Sequence, residues 1–174
     1  QATTPLAPEA REAMLRWLGG PDADDSGGDG FANPSSTHKA GRAAAAAVEV
    51  ARDQVAALLP KGGRVFFTSG ATEALNWALF SGARAKPGGV AGLSIEHAAS
   101  LQCLERLNAA ILPVDGEGLA LPPDDALLPE NGIVGTMLVN NEVGTIQPVA
   151  EFAVAVHAKN SLLLCDAVQG YGRV

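Results

Sequence analysis

Five polar residues, each close behind an apolar run, carry most of the chemistry this sequence offers. Thr72 follows Gly70-Ala71 at the start of a helical pattern, His97 follows Glu96, Asn141 follows Asn140, and Asp166 stands three positions before Gln169. Together they suit a phosphorylated heteroaromatic ring. A helix opening at Gly70-Ala71-Thr72 presents free backbone N–H groups and the positive end of its dipole to a phosphate, with the Thr72 hydroxyl as a further donor. The flat imidazole of His97 can stack on a ring. Asp166 can pair with a pyridinium nitrogen and keep it protonated, so that the ring withdraws electrons. Asn141 and Gln169 can hydrogen-bond a ring hydroxyl, which has no charge to attract an ion. Each residue also has a plainer reading. Ser69, Gly70 and Thr72 can simply cap a helix, and His97 can be a satisfied structural histidine. Asp166 can cap the next turn, and Asn140-Asn141 followed by Gly144 can be turn chemistry.

The elements that must present these residues follow from the pattern of the chain. Strand-like runs are predicted at Arg64–Thr68, Val90–Ser94, Ala110–Pro113, Ile133–Val139 and Leu162–Cys165. Between them lie helical patterns at Ala71–Phe80, at Ala98–Asn108 with Leu101, Leu104 and Leu107 on one face, and at Val149–Lys159. Strands interleaved with helices of this length predict βαβ units and a mostly parallel α/β sheet covered by helices. The strands are near-continuous apolar runs, which is expected when both sheet faces are covered. In such a sheet, ligands bind beyond the carboxyl ends of the strands. Four strand ends would then deliver a glycine turn, an imidazole, a carboxamide and a carboxylate to one edge. Upstream, a helix is predicted from Pro8 to about Leu18, stopped by Gly19-Gly20, followed by an acidic, Gly-rich surface loop over Pro21–Gly30. A longer helix is predicted over Ser36–Leu59, with Val48, Ala51, Val55 and Leu58 on its apolar face and Glu49, Arg52 and Asp53 turned away.

Composition narrows the function classes. With 12 Lys plus Arg and 19 Asp plus Glu, the net charge is 12 − 19 = −7, which argues against nucleic acid as the main partner. Hydrophobic residues at 47% and charged residues at 18% allow a packed core. Two cysteines, Cys103 and Cys165, are too few for a disulfide scaffold or a four-thiolate zinc site, and no metal ligand is assigned. No apolar run reaches the roughly 18 residues that span a bilayer, and no signal peptide is visible. A cytoplasmic setting is the expectation.

The motifs resemble those of cysteine desulfurases, in the class V aminotransferase branch of fold type I pyridoxal 5′-phosphate enzymes. The matching segments are Ala2-Thr3-Thr4-Pro5, Asn33-Pro34-Ser35-Ser36-Thr37-His38 with Gly41-Arg42, Phe67-Thr68-Ser69-Gly70-Ala71-Thr72-Glu73, Glu96-His97, Val139-Asn140-Asn141-Glu142-Val143-Gly144, and Asp166-Ala167-Val168-Gln169. The Asn-Pro-Ser-Ser-x-His-x-x-Gly-Arg string is closer to the housekeeping and nitrogen-fixation group than to the sulfur-mobilisation group. The resemblance implies that Ala71 and Thr72 bind phosphate and that His97 stacks on the ring and assists proton transfer. It also implies that Asn141 and Gln169 contact the ring hydroxyl and Asp166 the pyridine nitrogen. Family members act on L-cysteine: an enzyme thiolate takes the sulfur as a persulfide and alanine leaves. They are homodimers that pass sulfur to iron–sulfur scaffolds or tRNA-modifying proteins.

Some parts of the family pattern are missing. The family's Schiff-base lysine lies after the aspartate in a Ser-x-His-Lys string, whereas Lys39, Lys61, Lys86 and Lys159 all precede Asp166. Ser36-Thr37-His38-Lys39 spells the string but belongs to the Asn-Pro-Ser-Ser segment, and is read as a decoy. Cys103 and Cys165 are read as small packing residues, with Cys165 aimed away from Asp166 because neighbouring strand residues face opposite ways. The family's sulfur-accepting cysteine and substrate-carboxylate arginine have no counterpart. Gln1 and Trp77 depart from the Ala and second Asn usual there. The chain also lacks an initiator Met. It is therefore expected to be most of a cofactor domain, cut at both ends. Residues 1–63 would be a helical segment with the acidic loop, and residues 64–174 a partial large domain, with the rest of that domain and the small domain absent. Alone it is expected to be inactive and to associate through an exposed apolar sheet edge. Other readings are another class V enzyme, such as a selenocysteine lyase, an aminotransferase or a kynureninase-like hydrolase, and a non-catalytic binding partner.

Overall fold

The computed structural model describes residues 4–15, 17–18, 32–59, 62–122 and 126–174. The described residues up to Phe67 form one compact unit, and those from Thr68 to Val174 form another.

In the first unit, helix α1 spans Pro8–Leu15 and buries none of its residues. Pro8 opens it because the fixed φ of proline suits the first helical turn, where the missing N–H is no loss. It ends three residues short of the expected Leu18, and the Gly19-Gly20 stop and the Pro21–Gly30 loop lie outside the described residues. Helix α2 spans Lys39–Ala56, not Ser36–Leu59. Its start is set by a turn in which Asn33 accepts the amides of Ser35 and Ser36, and by His38, whose Nδ1 accepts the Gly41 amide at 3.2 Å. A Cβ at Gly41 would stand 2.3 Å from the Ser36 carbonyl oxygen, so this close approach requires glycine.

The apolar face of α2 is rotated from the expected one. Gly41 and Ala44 are buried and Val48, Arg52 and Val55 half-buried, while Ala51 and Leu58 are exposed. Arg52, expected to face away, takes the inner row because its guanidinium has partners there. It donates to the Val65 carbonyl at 2.6 Å, lies 5.0 Å from the Phe67 ring centroid, and pairs with Glu49 at 3.2 Å. The strand expected at Arg64–Thr68 is also absent. The segment is apolar and extended in composition, but a strand needs a ladder, and no strand among the described residues pairs with it. Phe66 and Phe67 are instead exposed, with Arg64 lying over Phe66.

The second unit is a four-stranded, wholly parallel sheet. Its strands are β1 (Val90–Leu93), β2 (Ala110–Leu112), β3 (Ile133–Met137) and β4 (Leu162–Asp166), in the order β2-β1-β3-β4. Helix α3 (Ala71–Ala85) precedes β1, α4 (Ala98–Arg106) crosses from β1 to β2, and α5 (Val149–Ala158) crosses from β3 to β4. Alternation along the strands sorts their side chains onto two faces. Ala91, Leu93 and Val134 face Phe152 and Val156 of α5, while Ile133 faces Leu79 of α3 and Cys103 and Leu104 of α4. Leu101 and Leu107 join Leu104 on that second face, as their spacing predicts. Gly92 lets α4 sit down on β1, since a Cβ there would come within 2.5 Å of Leu104 Cδ1.

That contact is testable by denaturant unfolding. Gly92→Ala is expected to cost about 1–3 kcal/mol by forcing a methyl against Leu104, and Leu104→Ala about 2–5 kcal/mol by opening a cavity. The double variant is expected to lose less than the sum, because the new methyl fills part of that cavity.

Candidate functional site

The carboxyl ends of the parallel strands and the start of α3 border one cleft of about 410 Å³, a volume suited to a small cofactor. Thr72, His97, Asn141, Asp166 and Gln169 all line it, together with Ala71. Its apolar floor includes Leu75, Met137 and Val139.

Local bonds shape the wall of the cleft. At the mouth of α3, the Glu73 carboxylate turns back to accept the Ser69 amide at 2.7 Å and the Ser69 hydroxyl at 2.6 Å. These two bonds hold its carboxyl below the usual range. The first helical bond runs from Ala74 N–H to the Gly70 carbonyl at 3.2 Å, so the Ala71 and Thr72 amides precede the intrahelical ladder. His97 is the N-cap of α4, its Nδ1 accepting the Ala99 amide at 3.1 Å. With Nδ1 accepting, the neutral ring carries its proton on Nε2.

The turn after β3 belongs to Asn140. Its Oδ1 accepts the Glu142 and Val143 amides at 2.8 and 2.9 Å, and its Nδ2 donates to the Ile95 carbonyl at 3.0 Å. Asn140 is thereby buried, and Asn141 is left exposed in the cleft. Asp166 ends β4, 9% exposed, with Oδ1 accepting the Val168 amide at 3.0 Å. This turn carries Gln169 to the cleft wall. For His97 and Asp166 the structural and ligand-directed readings thus apply together: one atom of the side chain holds the cap or turn, and the residue still faces the cleft.

The cysteines stand apart from the cleft. Cys103 is buried in α4, its thiol donating to the Ala99 carbonyl at 3.2 Å and pushed up in pKa by burial. Cys165 was expected to be a packing residue but is exposed, because β4 is an outer strand of the sheet. Its side chain does face away from Asp166, which is buried. Desolvation and the Asp166 and Glu96 carboxylates push the Cys165 thiol up. No lysine among the described residues lines the cleft.

Residues 24–174 match the family model Aminotransferase class-V. Among similar proteins, the chain is 40% identical to a cysteine desulfurase of Cereibacter sphaeroides and 38% identical to cysteine desulfurase IscS of Clostridium botulinum. The alignments cover 99% of this chain but 46% and 44% of those proteins, so the chain spans less than half their length. Among solved structures, a NifS-like protein of Rickettsia africae superposes with a TM-score of 0.76 at 25% identity, covering 99% of this chain and 48% of the other. DndA of Streptomyces lividans superposes at 0.66 with 35% identity, covering 82% and 43%.

One carboxyl beneath the site carries more weight than its sequence position suggests. Glu96, 5% exposed, accepts the Met137 amide through Oε1 at 2.8 Å. Burial, helped by the nearby Asp166 charge and opposed by the Met137 bond, pushes its pKa from 4.5 up to about 7. Only its place between an apolar strand and His97 signals this from the sequence. The raised value makes the ionised form costly in the fold. Glu96 therefore imposes no penalty below about pH 4.5, a growing one as pH rises, and the full penalty above about pH 7, on the order of 3 kcal/mol. Glu96→Gln keeps an acceptor for Met137 but cannot ionise. In thermal unfolding across this range, the variant is expected to lack that decline and to exceed the wild type in stability above pH 7.

Proposed function

Because this chain belongs to the aminotransferase class-V family, we propose that it forms the pyridoxal 5′-phosphate-binding part of a cysteine desulfurase. The family depends in general on this cofactor, and the relatives reported above bear that enzyme's name. The observation that carries the reading is the convergence of Thr72, His97, Asn141, Asp166 and Gln169 on one cleft. The donor set fits the group. A helix mouth with uncommitted amides suits a phosphate, a buried carboxylate suits a pyridinium nitrogen, and neutral carboxamides suit a ring hydroxyl.

In this reading the Ala71 and Thr72 amides and the Thr72 hydroxyl bind the phosphate, and Asn141 and Gln169 donate to the ring hydroxyl. Asp166 holds a proton on the ring nitrogen. His97, its ring fixed by the Ala99 bond, lies against the ring face and offers Nε2 for proton transfer. When bound, the cofactor supplies the electron-withdrawing ring that lets L-cysteine lose its sulfur and leave as alanine. The sulfur passes to an enzyme thiol as a persulfide and then to an iron–sulfur scaffold or a tRNA-modifying protein, in a cytoplasmic homodimer. Neither cysteine of this chain lines the cleft, so the accepting thiol is assigned outside these 174 residues, as is the anchoring lysine. The chain by itself is then a non-covalent cofactor bed without turnover.

Two measurements test this. Titration with pyridoxal 5′-phosphate, followed by equilibrium dialysis, is expected to show saturable binding that Asp166→Ala weakens about 10- to 100-fold, the scale of one charge-assisted hydrogen bond. Borohydride reduction and mass spectrometry of the chain with cofactor are expected to show no pyridoxyl adduct on Lys39, Lys61, Lys86 or Lys159. A stoichiometric adduct on any of them, or alanine release from L-cysteine by the chain alone, contradicts the assignment.

A further inference from the structure

The cleft is underlain by a second carboxyl that the proposed chemistry does not use. Glu96 follows β1, and its Oε1 bond to the Met137 amide ties the end of β1 to the end of β3. Met137 is in turn the register partner of Asp166 on β4, and the Leu138 amide donates to the Asp166 carbonyl at 2.8 Å. Three adjacent strand ends therefore bring the Glu96 carboxyl beside Asp166. Asn140 adds a second tie between β1 and β3, through Nδ2 and the Ile95 carbonyl.

We propose that Glu96 is a positioning residue acting through Asp166: its buried carboxyl sets the field where Asp166 meets a bound ring nitrogen, and the ring is held more tightly once Glu96 releases its proton to solvent.

The inference rests on the cofactor reading above and adds a pH-dependent control to it. The charges around Glu96 are few. β4 contributes Asp166 and Cys165, the start of α4 contributes His97, and Glu73 of α3 lines the same cleft. β2 and β3 bring no ionisable side chain, and Glu151 and His157 of α5 are exposed. No arginine or lysine among the described residues lines the cleft to neutralise a second negative charge. Two neighbouring carboxylates in a desolvated site repel each other, so ionised Glu96 is disfavoured beside Asp166 unless a cation offsets the repulsion. A protonated ring nitrogen against Asp166 is such a cation. It favours ionised Glu96, and by linkage ionised Glu96 favours the ring. Burial is the main cause of the raised Glu96 pKa, and the Asp166 charge adds to it.

The test compares pyridoxal 5′-phosphate with its carbocyclic analogue, in which C–H replaces the ring nitrogen. Affinities of both ligands are measured at about pH 6 and about pH 8 for the wild type and for Glu96→Gln. The wild-type preference for the pyridine over the analogue is expected to rise about three-fold or more relative to that of the variant as pH increases. Equal pH responses in both proteins, or equal losses of both ligands in the variant, mark a merely structural role and overturn the proposal. A second measurement needs no variant. The carboxyl signal of Glu96, followed by ¹³C NMR in the wild type, is expected to titrate at lower pH with the pyridine bound than with the analogue bound. The same midpoint with both ligands overturns the proposal. A wild-type protein that binds neither ligand removes the cofactor reading and this inference with it, whereas binding of both with no response from Glu96 removes this inference alone.

Discussion

Parallel pairing of four strands is the constraint on which the rest of the second unit depends. Because β1 to β4 run in one direction, every strand ends at the same edge, and the residue after each end is delivered there. The register Met137↔Asp166 makes this concrete, since it sets the carboxylate of β4 level with the end of β3. A strand shifted by one residue would turn Asp166 to the opposite face, where Cys165 now points. The helices can cover both faces because each strand alternates its apolar side chains between the two.

The site is held by ordinary turn and cap chemistry. His97 caps α4, Asn140 closes the turn after β3, Asp166 closes the turn after β4, and Glu73 answers Ser69 at the start of α3. Each bond fixes a side chain or its neighbour with respect to the cleft. Longer ties complete the edge: Glu96 and Asn140 join the first and third strands, and the Leu138 amide joins the third to the Asp166 carbonyl at the end of the fourth. Such local preorganisation spares a ligand the ordering cost of arranging its own contacts.

Legibility differed sharply between elements. The α4 stripe Leu101, Leu104 and Leu107 could be read from periodicity and the four strands of the sheet from near-continuous apolar runs, because apolar burial decides both. The face of α2 could not. Arg52 reads as a solvent-facing charge until its carbonyl and aromatic partners, at Val65 and Phe67, are known. Arg64–Thr68 has the composition of a strand but lacks a ladder partner among the described residues, and composition cannot supply one. Cys165 carries the same lesson: whether a strand residue is covered depends on what lies beside the strand.

The amino-acid sequence by itself determined the alternation of strands and helices, the parallel α/β class, and the identity of the polar residues behind each strand. These are local facts, written in side-chain periodicity and in the turn preferences of Gly, Asn and Asp. Only the tertiary structure decided that Thr72, His97, Asn141, Asp166 and Gln169 share one cleft, that Asn140 serves the turn while Asn141 faces the cavity, and that Glu96 lies buried beside Asp166. The reason is that burial and proximity are properties of strand order and register. Those relations join residues as far apart as Glu96 and Met137 and leave no mark in the spacing between neighbours along the chain.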